Sequence, residues 1–142
     1  MKPKIFIRIS SVLMLLHTAG HTMGALTWKE APNSTVAKLV SDMQTVHFAF
    51  MGRQVSLGSF FEGYGIINIF VLLLLTITLW LLSNATDNSL TTKLLPVLAV
   101  FLLLMGISEY IYFFPFAAAI SLLAGLAALA GSVSIKRPVS IN

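Results

Sequence analysis

The chain has 142 residues, of which 57% are hydrophobic and 10% charged, whereas a soluble domain of this length carries roughly 25% charged residues. Its surface is therefore expected to meet lipid. Nine Lys and Arg against five Asp and Glu leave a formal net charge of +4, but no basic run exceeds two residues, so no nucleic-acid partner is expected. The absence of cysteine excludes disulfides, thiolate metal sites, iron–sulfur clusters and cysteine nucleophiles.

The first apolar stretch, residues 5–26, is long enough to cross a bilayer, which takes about 20 helical residues. A secretory signal is the competing reading: Lys2, Lys4 and Arg8, a short apolar run, then small residues near Ala19-Gly20 or Gly24-Ala25. His17 and His21 interrupt that pattern and apolar character resumes through Leu26, which favours an uncleaved span. Ser10, Leu13, Met14, His17, Gly20, His21 and Gly24 share one side, so both histidines lie on a strip with small residues that permit close packing.

An amphipathic helix over residues 34–51 is expected next. Pro32 and Asn33 or Ser34 supply a start, and Val36, Leu39, Val40, Met43, Val46 and Phe50 recur at helical spacing, with His47 near the centre of the apolar face. Span two covers residues 57–82, opening with Glu62-Gly63-Tyr64-Gly65, where two glycines beside an acid permit close backbone approach or a local break. Spans three and four, residues 94–114 and 116–135, flank Pro115 and read as an antiparallel helical hairpin. Ser121, Ala124, Gly125, Ala128, Gly131 and Ser132 make span four a small-residue packing face, from which little chemistry is expected. The whole reads as one all-α integral membrane domain over residues 1–142, a four-transmembrane-helix bundle with an interfacial helix between spans one and two.

Cytoplasmic segments retain an excess of Lys and Arg. Lys2, Lys4, Arg8, Lys93, Lys136 and Arg137 fall on one side of the bundle, and Lys29, Lys38 and Arg53 on the other. Both termini are accordingly expected in the cytoplasm, with the connection between spans one and two outside. Asn33-Ser34-Thr35 and Asn84-Ala85-Thr86 match glycosylation sequons by chance composition.

That topology brings His17, His21, His47, Arg53, Glu62 and Glu109 to the outer leaflet, with no comparable group on the cytoplasmic side. Intramembrane ionisable residues are costly and mark sites or cross-braces. One reading is a metal site, with His17 and His21 at i and i+4 and Glu109 or Glu62 completing the sphere. A second is a ligand-binding or proton-exchanging pocket for a small lipophilic or quinone-like molecule, in which Arg53 holds an anionic group and aromatics including Phe60, Phe61, Tyr64 and Tyr110 form the walls. The bland alternatives are imidazoles bonded across helices, an Arg53–Glu62 ion pair and an interfacial aromatic belt. A noncatalytic subunit is then the rival function, with Gly20-xxx-Gly24 or the span-four face binding a membrane-protein partner or a second copy. Walker loops, nucleotide fingerprints, nucleophile elbows and zinc-protease motifs are absent.

The run His17-Thr18-Ala19-Gly20-His21-Thr22-Met23-Gly24, with His47-Phe48-x-Phe50-Met51-Gly52-Arg53 and Phe60-Phe61-Glu62-Gly63-Tyr64-Gly65, resembles an uncharacterised group of small four-span bacterial membrane proteins. In size and span count alone the chain is also similar to the DoxX-like proteins. The first resemblance implies a multi-pass protein of the bacterial inner membrane and leaves the chemistry of the polar cluster open.

Overall fold

The computed structural model describes residues 2–135. Five helices dominate it: α1 (Pro3–Thr27), α2 (Ser34–Thr45), α3 (Leu57–Asn84), α4 (Ser89–Tyr112) and α5 (Pro115–Ser134), with strands β1 (His47–Phe50) and β2 (Arg53–Ser56) between α2 and α3. Among the described residues, α3, α4 and α5 are long and apolar enough to cross a membrane, as in a multi-pass membrane protein. Helix α1 is long enough, but Arg8, His17 and His21 dilute its apolar character and it is not among them. Lys136 and Arg137, which enter the sidedness argument, lie outside the described residues.

Two compact units make up the chain, one holding Met1–His17 and Leu72–Asn142, the other Thr18–Val71. The core of the first is built from Ile7 and Met14 of α1, Leu72, Leu75, Leu79 and Leu82 of α3, Leu95, Ala99 and Leu102 of α4, and Ala124 and Ala128 of α5. The hairpin expected at Pro115 is present: α4 ends at Tyr112, Phe114 caps α5, and Pro115 takes a first-turn position where no N–H is needed. The two helices close on one another through reciprocal glycines. A Cβ on Gly106 would lie 2.7 Å from Leu122 Cγ, and one on Gly125 would lie 2.9 Å from Leu103 Cγ. Helices α1 and α3 of this unit meet antiparallel: Ser11 Oγ donates to the Thr76 carbonyl at 2.8 Å, and Arg8 Nη2 donates to Asn84 Oδ1 at 3.3 Å.

In the second unit, Asn33 caps α2 by accepting from the Val36 N–H at 2.9 Å. The helix expected to reach residue 51 stops at Thr45. Beyond it, Val46, Phe48, Phe50 and Val55 favour extended backbone, and Met51 and Gly52 both adopt positive φ (47° and 80°), the signature of a primed two-residue hairpin turn. His47 therefore pairs with Ser56 across an antiparallel ladder and does not lie on a helix face. Reciprocal hydrogen bonds between Ser56 and Ser59, each backbone N–H to the other's Oγ at 3.1 Å, then start α3 as a capping box.

The Glu62-Gly63-Tyr64-Gly65 segment does not break α3. At Gly65 the close approach is real, because a Cβ there would lie 3.3 Å from Ala25 Cβ.

Candidate functional site

Helix α1 projects His17 into the first unit, where the ring is 7% exposed. Its Nδ1 lies 3.0 Å from Ser121 Oγ of α5, and its Nε2 lies 3.3 Å from Glu109 Oε1 of α4. Ser121 is completely buried and the Glu109 side chain is 13% exposed. A neutral imidazole has one donor and one acceptor nitrogen, so the self-consistent arrangement has the Ser121 hydroxyl donating to Nδ1 and the proton on Nε2, facing the Glu109 carboxylate. Glu109 Oε2 is buried and accepts no hydrogen bond among the described residues.

This carboxylate–imidazole–hydroxyl chain is suited to holding and moving a proton. The order of groups matches that of a nucleophilic triad, but full burial of Ser121 denies its Oγ to a substrate, so acyl transfer is not supported. Ser121 stands in the sequence as one polar residue on the small-residue face of α5, and that face does pack closely. The small neighbours Ala124, Gly125 and Ala128 let α5 approach, and the approach brings the hydroxyl to the imidazole.

The second unit handles its polar residues separately. His21 Nε2 lies 3.1 Å from the Gly65 carbonyl oxygen, made accessible by the close α1–α3 contact at that glycine. Glu62 pairs with Lys29 at 3.1 Å, both about half-exposed, and not with Arg53. Nothing in the sequence around Lys29 marks it as the partner of Glu62, 33 positions away. The exposed His47 has its Nδ1 2.8 Å from the Thr45 carbonyl oxygen, and Arg53, on the exposed end of β2, makes no ion pair among the described residues.

The aromatic residues are likewise divided. Phe60 packs on the hairpin, with its centroid 5.5 Å from Phe50 in edge-on geometry, while Phe61 lies 4.9 Å from Trp28. Tyr64 and Tyr110 are exposed. Among the described residues no group of three or more His, Asp or Glu side chains is arranged to hold a metal ion.

Comparisons with known protein families, with curated proteins and with solved structures return no match for this chain.

Proposed function

We propose that the chain is a four-span protein of the bacterial inner membrane, with both termini cytoplasmic, α2 and the hairpin at the outer interface, and a buried proton-exchanging site at His17, Glu109 and Ser121. The observation that carries this reading is the imidazole held between a carboxylate and a hydroxyl on three different helices, with the second carboxylate oxygen buried and unmatched. Water in hydrocarbon is scarce, so a carboxylate–imidazole pair that gains or loses a proton changes the local charge by one unit with little screening. The unmatched Oε2 is the oxygen left to take up a proton, and Ser121 holds the ring in one tautomer meanwhile.

The test is infrared difference spectroscopy of reconstituted protein between acidic and alkaline buffer. The reading requires one component of the protonated-carboxyl band in wild type that is missing in Glu109→Gln and shifted in Ser121→Ala. Spectra in that region that are the same in wild type and both variants leave the three residues as a static cross-brace.

The rival reading, a noncatalytic subunit that binds a partner, rests on one specific observation. Gly20 and Gly24 face open space, whereas Gly106, Gly125 and Gly131 are already filled by neighbouring side chains. Of the two small-residue faces, the one on α1 is therefore the one left open to a partner helix among the described residues.

A further inference from the structure

We propose that the α1–α3 seam at Arg8 binds the phosphodiester headgroup of an anionic phospholipid, with an acyl chain lying along the apolar strips that lead away from it. Arg8 lies about 8 Å along α1 from Pro3 at 1.5 Å per residue, inside the apolar stretch, yet no carboxylate is within ion-pairing distance among the described residues. Its guanidinium is nevertheless held in one orientation. The Cζ sits 4.9 Å from the centroid of the Trp80 ring and Nη2 bonds Asn84 Oδ1, while Nε is buried without a hydrogen-bond acceptor. An indole face and an amide oxygen orient the cation without neutralising it, and a planar guanidinium presented this way favours a bidentate oxyanion.

Position selects a lipid. Asn84 is the last residue of α3, which puts the guanidinium at the end of an apolar span, the level of a headgroup. Lys4, one turn earlier on α1, adds a second exposed cation on the same face. In the other direction Val12 and Leu15 lie four and seven residues from Arg8, and Ile77 and Leu73 three and seven residues from Trp80, so each pair continues its own helix face. All four are exposed, and the Ser11–Thr76 hydrogen bond keeps the two strips alongside one another. A cation at the headgroup level with apolar rails below it matches a phospholipid better than a free anion.

The experiment exploits the presence of only two tryptophans, Trp28 and Trp80. In a Trp28→Phe background, Trp80 fluorescence is followed in phosphatidylcholine vesicles doped with brominated phosphatidylglycerol or brominated phosphatidylcholine. Brominated phosphatidylglycerol is expected to quench at about fivefold lower mole fraction, the preference worth one basic contact with an anionic lipid. Arg8→Gln abolishes the preference, and Asn84→Ala, an exposed substitution that leaves the core intact, reduces it. Equal quenching by the two lipids overturns the proposal, as does a preference that survives in both variants. Competition by millimolar inorganic phosphate in place of phosphatidylglycerol also overturns it, by identifying a free-phosphate site.

Discussion

Gly106 of α4 receives Leu122 of α5 so closely that a Cβ on the glycine would fall 2.7 Å from the leucine Cγ and 3.0 Å from its backbone N. This contact, repeated with the roles of the helices exchanged at Gly125 and Leu103, sets the register that brings Ser121 and Glu109 to the same imidazole. Because the backbone of α5 itself lies against the site, rotamer changes in Leu122 cannot fully relieve an added methyl group. Gly106→Ala is expected to lower stability by about 1–3 kcal/mol, the usual range for overpacking. Thermal unfolding in detergent measures it. Gly20→Ala, by contrast, adds a methyl group to open space and should leave the isolated monomer within about 0.5 kcal/mol of wild type. Equal losses from the two substitutions would contradict the helix register described above.

Removing the imidazole exposes what it satisfies. In His17→Ala, the Ser121 hydroxyl and the Glu109 carboxylate both lose a buried partner, and the variant is expected to lose about 1–3 kcal/mol. In Ser121→Ala only one hydrogen bond goes, at a cost of about 0.6–1.7 kcal/mol by the membrane-protein range. A double-mutant cycle between positions 17 and 109 should show coupling, because His17 Nε2 and Glu109 Oε1 lie 3.3 Å apart. Additive losses in that cycle would mean the pair is not formed in the bilayer.

Two glutamates that look alike in the sequence should behave differently. Glu62 and Lys29 are half-exposed at the ends of their side chains, so Glu62→Gln is expected to cost no more than about 1 kcal/mol, and less at high salt. Glu109→Gln removes the carboxylate from a mostly buried site and should respond little to salt. Unfolding at two ionic strengths separates them. A salt-sensitive loss at position 109 would show that its carboxylate is solvated.

The hairpin turn offers a stabilising change. Met51 adopts φ 47°, which a long side chain disfavours and asparagine tolerates, so Met51→Asn creates the Asn-Gly pair preferred in such turns. Slower amide hydrogen exchange in β1 and β2 is the expected result. Gly52→Ala, at φ 80°, should accelerate it. Unchanged exchange in both variants would show that the hairpin is not held by its turn.

The amino-acid sequence by itself determined the solvent, the approximate limits of the long helices and the Pro115 hairpin. Scarcity of charge, runs of apolar residues and the backbone of proline act locally, so they can be read without knowing which segments meet. The region after Thr45 was harder to read. There, helical spacing of apolar residues competed with β-branched and aromatic preference, and two positive-φ residues resolved the competition in favour of a hairpin. His17 and Glu109 likewise stand out in the sequence as ionisable groups within apolar stretches, but their third partner does not.

Ser121, Lys29 and the Arg8–Trp80–Asn84 clamp acquire meaning only from tertiary contacts, since nothing in their local sequence specifies a partner up to 104 positions away. Of the six residues grouped by topology, His17, His21, Glu62 and Glu109 take the partners that helix packing supplies: Ser121 and Glu109 for His17, the Gly65 carbonyl for His21, and Lys29 for Glu62.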